Sequence, residues 1–164
     1  FIRGTFDAEM ADAVVAQLLF LESVDNTADI FMYINSPGGE VTAMYAIYDV
    51  MNYIKPDIVT VGFGVCASAA SFIIAAGTKG KRHALPNCEL MLHELSGGSG
   101  GKFNDIKIGY EHTVKLYERM IKHYSEFTGQ ELQKIKKDLE RDFYMSSDEA
   151  VSYGLIDTVL CNRS

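Results

Sequence analysis

The sequence predicts an α/β fold on a parallel sheet, and three observations carry that expectation. Helical and strand patterns alternate along the first half of the chain, the strand segments are apolar on both faces, and glycine-rich turns follow them. The chain has 164 residues, 48% hydrophobic and 23% charged, with only three prolines, as an ordinary folding sequence of one-domain size has.

Asp7 stands as the N-cap of a helix in which Met10, Val14, Val15, Leu18, Leu19 and Leu21 recur at amphipathic spacing, ending near Val24. Ile30 to Ile34 reads as a buried parallel strand, closed by Asn35-Ser36-Pro37-Gly38-Gly39. A second helix runs from Val41 to Ile54, Pro56 stops it, and Ile58 to Phe63 is the next strand. After Gly64-Val65-Cys66-Ala67-Ser68, the segment Ala69 to Ala76 is small and apolar on every side, predicting a short interior helix capped by Gly77. Leu90 to Leu92 is a third strand with His93 at its C-terminal end, and Ser96 to Gly101 is the most flexible stretch. From Asn104 to Phe127 the spacing predicts an amphipathic helix of about 36 Å, too long for a domain of this size to cover. Thr128 with Glu131, and Ser146 with Glu149, have capping-box spacing, which places helix starts near Gly129 and Ser147.

Composition narrows the function. A net charge of -7 opposes binding to a nucleic-acid backbone. No apolar run reaches the roughly 18 residues of a membrane span, so a soluble chain without a membrane partner is expected. Cys66, Cys88 and Cys161 are odd in number and form no CxxC pair, pointing to neither a disulfide framework nor a zinc site, and to a reducing compartment. The apolar start at Phe1, without methionine, leads us to expect a preceding segment.

Four places carry candidate chemistry. Ser68 falls between a strand and a buried helix, where helix-start amides can stabilise an oxyanion, although a serine at such a position more often caps the helix. Asn35 to Gly39 reads either as a connecting turn or as a loop whose glycine amides approach a substrate. His93, alone among four histidines, ends an apolar strand, where α/β sites gather, yet it also fits a structural role. Asp142, in Glu140-Arg141-Asp142, reads by itself as part of a solvated charge cluster.

Together these residues resemble, in order and spacing, the ClpP family of self-compartmentalising serine peptidases. The matching features are NSPGG at 35–39, the G-x-x-A-S ending at Ser68, the strand ending in His93 and the ERD at 140–142. Further matches are LLFLE at 18–22, IYDVM at 47–51, KGKR at 79–82, LPN at 85–87 and YGLID at 153–157, so the likeness spans the visible chain. The resemblance implies a ClpP/crotonase-like ββα superhelix with a protruding long handle helix, as one peptidase domain with a head of 1–103 and 129–164 and a handle of about 104–127. It implies a triad of Ser68, His93 and Asp142, an oxyanion hole from the N–H groups of Gly39 and Ala69, and substrate edges at Gly38, Gly97 and Gly98. Phe31, Tyr33, Phe63 and Leu160 match positions where an AAA-type Clp ATPase unfoldase docks, with His83 where an aromatic residue is usual, and Glu140 and Arg141 match the contact between rings.

The implied partners are further copies in two stacked heptamers or a second ClpP-type subunit, the unfoldase, and unfolded polypeptide substrates. No metal or cofactor is implied, ATP being used by the unfoldase. The expected location is bacterial cytoplasm, although an organelle enzyme has the same pattern. The expected N-terminal segment would hold the axial loops. Three departures lie beside the triad: Val65-Cys66 replaces the usual Gln-Ala, Ala69-Ala70 replaces Met-Gly, and Glu94-Leu95 replaces Gln-Pro. They suit a divergent paralogue that is weakly active or structural and needs a second subunit. A crotonase-type acyl-CoA enzyme is a third reading, and it gives no reason for a serine, a histidine and an aspartate at these spacings.

Overall fold

In the computed structural model, which describes residues 1–162, the sheet has a parallel spine in the order β1 (Ile2–Phe6), β2 (Ile30–Gly39), β3 (Ile58–Ala67), β4 (Arg82–Ala84) and β7 (Thr158–Val159). The first three strands are joined by α1 (Ala8–Val24) and α2 (Val41–Tyr53), the crossovers that parallel pairing demands. Asp7 caps α1 as expected, its Oδ1 accepting the Met10 N–H at 2.8 Å. β3 pairs with β4 along Thr60–Gly62, then with β5 (Glu89–Leu92) along Val65–Ala67, so the sheet forks along β3. β6 (Phe143–Ser146) joins the outer side of β5 and runs antiparallel to it.

Alternation sorts the strand side chains. Ile30, Met32 and Ile34 of β2 are buried on the helical side, where α3 (Ala69–Ala75) is buried at all seven positions. The opposite face carries Phe31 and Tyr33, and register puts Val61, His83 and Thr158 beside them, with Phe63 two residues further along β3 and Leu160 just beyond β7. Phe31 is 58% exposed there, and Phe1 stacks on Tyr33 with ring centroids 5.1 Å apart.

Several sequence expectations are corrected. Asn35 to Gly39 is not a turn but the second half of β2, which leaves β3 after Ser36 and continues along β1 through Gly39. β3 likewise continues four residues beyond Phe63. β1, β4, β6 and β7 were not anticipated; each is five residues or fewer and carries little periodicity. His83 lies on β4. Gly77 is not the helix cap: α3 ends on Ala76 in right-handed geometry.

The long helix is α4 (Phe103–Thr128), 26 residues and about 39 Å, in which only Met120, Ile121 and Tyr124 are buried. It ends where Gly129 takes the left-handed conformation, so the expected helix start there is wrong. Thr128 instead donates its hydroxyl to the Tyr124 carbonyl, and α5 (Leu132–Leu139) begins after Glu131 without a side-chain cap. The second capping box does form: Ser146 and Glu149 satisfy each other's amides at the start of α6 (Ser147–Tyr153).

One ion pair ties β4 to the chain's end. Arg82, with 4% of its side chain exposed, bonds Asp157 through Nη2 at 2.7 Å and Nε at 2.9 Å, and its Nη1 donates to the Phe127 carbonyl. Burial alone raises the Asp157 pKa, but the Arg82 guanidinium and the amides of Arg82 and Gly80 outweigh it, holding the carboxyl below its ordinary value. Asp157→Asn is expected to lower stability by about 2–3 kcal/mol, less than the loss of a fully buried pair because Asp157 keeps some solvent, as read from urea denaturation. A depressed carboxyl stabilises the fold above its unfolded pKa, so this contribution should fade from about pH 4 downward in the parent and be absent from the variant.

Candidate active site

The strand register builds the site. Ala67, the last residue of β3, pairs with Met91 of β5, so Ser68 follows at the level of Leu92 and His93 comes one residue further along the neighbouring strand. Leu92 pairs with Phe143, so Asp142, just before β6, arrives from the opposite direction beside His93. Three segments far apart in sequence thus meet at one end of the forked sheet. The Ser68 Oγ and His93 Nε2 are 2.8 Å apart, and His93 Nδ1 is 3.3 Å from Asp142 Oδ1. A histidine protonated on Nδ1 can donate to the carboxylate and accept the serine proton on Nε2. The His93 side chain is 31% exposed and that of Asp142 is 56% exposed, so the carboxylate meets solvent.

Ser68 is the one non-glycine residue with positive φ among the described residues, at φ 56° and ψ −121°. Its N–H donates to the Met91 carbonyl at 2.9 Å, and its carbonyl accepts from the Phe72 N–H and the Ser71 hydroxyl. Although Ser68 occupies the N-cap position, its hydroxyl makes no capping bond. The side chain is turned from the helix toward His93, which displaces the capping reading.

Backbone donors lie beside the serine. Ala69 opens α3, where first-turn amides lack intrahelical acceptors. The Phe6 carbonyl accepts from the Glu40 N–H at 2.8 Å, and in a parallel ladder the residue between successive bonds turns its own N–H to the other edge. Gly39 therefore points its N–H away from β1, toward the side where β3 ends in Ser68. A Cβ on Gly38 would lie 2.7 Å from Ser68 Cβ and 2.9 Å from the Ala69 nitrogen, so only glycine lets β2 come so near.

A cleft beside Ser68 is lined by Gly39, Ala69, His93 and Glu94, with Val41, Met44, Leu95, Met120 and Tyr124 as apolar walls. The walls were not singled out from sequence, although Met120 and Tyr124 stand four apart on one helix face and Val41 and Met44 three apart on another. Tyr124 bonds Ser71 at 3.0 Å, and burial pushes its phenol pKa up, which keeps it protonated. A wider depression, about 650 Å³, opens outward between His93–Gly97 and Leu139–Asp142. Gly97 lines it with Glu140 and Arg141, whereas Gly98 lines neither hollow. Phe31, Tyr33, Phe63 and Leu160 lie on the sheet face already described, away from these residues.

A serine hydroxyl, an imidazole and a carboxylate in line, beside the amides of Gly39 and Ala69, make an arrangement capable of acyl-transfer hydrolysis. The sequence model of the Clp protease family matches residues 1–163, and the chain belongs to that family. Membership carries a Clp-type peptidase role, an oligomeric assembly and partnership with Clp ATPases. No helix among the described residues is long and apolar enough to cross a membrane.

The closeness of Gly38 to the serine is testable by itself. Gly38→Ala is expected to lower stability by about 1–3 kcal/mol in denaturant titration, because its φ of 96° and the Ala67–Ala69 backbone both exclude a methyl.

Proposed function

We propose that the chain is a serine endopeptidase subunit that hydrolyses unfolded polypeptides within a chamber of two stacked seven-membered rings, fed by an ATP-dependent AAA-type Clp unfoldase. The observation that carries this is the 2.8 Å approach of Ser68 Oγ to His93 Nε2, with Asp142 behind the imidazole. His93 takes the hydroxyl proton as Ser68 attacks the scissile carbonyl, and the N–H groups of Gly39 and Ala69 receive the charge that develops on its oxygen. His93 returns the proton to the leaving amine, and the acyl-enzyme is cleared by water that His93 activates in turn. Gly38, at the end of β2, and Gly97 and Gly98 supply the edges along which an extended substrate adds as a strand. Head and handle form one peptidase domain, the exposed part of α4 meets the second ring, and Glu140 and Arg141 contact it beside the triad. Phe31, Tyr33, Phe63 and Leu160 take the unfoldase, and the assembly works in the bacterial cytoplasm.

A second reading is favoured by the exposure of Asp142. A carboxylate 56% open to water and 3.3 Å from its imidazole orients the ring weakly, so a partner subunit of ClpP type would be needed to close the triad.

Native mass spectrometry after reaction with a fluorophosphonate separates the two. A fourteen-subunit species bearing an adduct that Ser68→Ala removes supports the active homomeric enzyme, whose peptidase rate should fall at least about a thousandfold in that variant. An unlabelled heptamer or smaller species, labelled only after a second subunit is added, supports the partner-dependent reading. Asp142→Asn should lower turnover by about a hundredfold or more with little change in substrate KM, since it affects the imidazole rather than substrate contacts.

A further inference from the structure

The cleft beside Ser68 has one charged side chain among apolar walls, apart from the triad histidine. Met44, Met120 and Tyr124 are buried at its base, and the Tyr124 hydroxyl is engaged by Ser71, so no free polar group faces into it from there. Val41 and Leu95 continue the apolar lining, and Ser96 adds a small polar edge. Glu94 follows His93 directly, lines the same cleft and is exposed, and it has no salt-bridge partner among the described residues. Glu94 also lines the outer depression, which it shares with Arg141, but the two form no ion pair, and Glu140 and Asp142 flank that arginine in sequence.

An attacked carbonyl, with its carbon at the Ser68 Oγ and its oxygen toward the Gly39 and Ala69 amides, brings the Cα of the same residue to the mouth of this cleft. We infer that the cleft receives the side chain on the acyl side of the scissile bond, and that Glu94 at its rim selects there for lysine or arginine. Those two side chains combine an apolar stem with a cationic head, the stem lying along Met44 and Met120 and the head reaching the Glu94 carboxylate at the wet edge. Aspartate and glutamate are disfavoured twice, by the apolar walls and by the like charge. Methionine and leucine fit the walls but gain nothing from Glu94. Because the carboxylate is exposed, the preference is modest and sensitive to salt.

This inference rests on Ser68 being the nucleophile, and the test separates the two. The assembled protein is assayed with fluorogenic peptide amides that differ only in the acyl-side residue, Lys, Met or Glu, alongside Glu94→Gln, Glu94→Lys and Ser68→Ala. As a readout independent of turnover, the rate of covalent labelling by lysyl and norleucyl peptide phosphonates is measured on the same proteins. The expected lysine-over-methionine ratio is about two to five in the parent, falls toward one in Glu94→Gln and in high salt, and inverts in Glu94→Lys. Hydrolysis or labelling that Ser68→Ala removes, but whose lysine-to-methionine or lysine-to-norleucine ratio is the same in Glu94→Gln, overturns the inference and leaves the nucleophile assignment standing. The absence of both hydrolysis and labelling above the Ser68→Ala level overturns both.

Discussion

The site depends on how the backbone of Ser68 is held. A residue with a side chain avoids φ near +56° unless its surroundings enforce it, and here both sides of the residue are tied. The amide is fixed to β5 through the Met91 carbonyl, and the carbonyl is fixed to α3 through Phe72 and Ser71. With the main chain so held, the side chain cannot fold back onto the helix start and is left facing His93. The fork of the sheet follows the same requirement: β3 exchanges β4 for β5 along its length, so that Ser68 meets the strand that brings the histidine.

Packing around this point tolerates little freedom. Every residue of α3 is buried, and its small side chains let α3 lie against β2 and β3 while Phe72 makes edge contacts with Tyr45, Tyr48, Tyr124 and Phe127. β2 comes so near that Gly38 has no room for a methyl, and its glycines form one wall of the site without any functional side chain. The arrangement thus combines main-chain placement at Gly39 and Ala69 with the side chains of Ser68, His93 and Asp142. The departures at Val65, Cys66, Ala69 and Ala70 leave the arrangement intact, because none of their side chains takes part in the Ser68–His93–Asp142 contacts.

Much of this was legible in the sequence, and the reason differs from residue to residue. The alternation of helix and strand, the helix N-cap at Asp7, the second capping box and the long α4 follow from local spacing, and local spacing is what a sequence shows. Asp142 was not legible from its own neighbours, because its place beside His93 comes from the antiparallel pairing of β6 with β5, a contact between residues some fifty positions apart that leaves no periodic trace. The run from Asn35 to Gly39 reads locally as a turn or a substrate-facing loop, because proline and two glycines usually mark one. Here β1 supplies a partner for the extended backbone past Pro37, and the tertiary context overrides the local signal. Thr128 and Glu131 had the right spacing for a cap, but Gly129 between them ends a helix rather than beginning one.

The anchoring of α4 carries a mechanical consequence. Its C-terminal half, from Leu116 to Phe127, packs on the core, and its N-terminal half reaches out from it as an arm of about equal length. Such a rod is a lever with its fulcrum in the aromatic cluster. Tyr124 belongs to that cluster, so a sideways push on the far tip moves it little, and one hydroxyl pair joins it to Ser71. An arm pivoted this close to its packed end leaves the backbone bonds that hold the serine on the still side of the pivot.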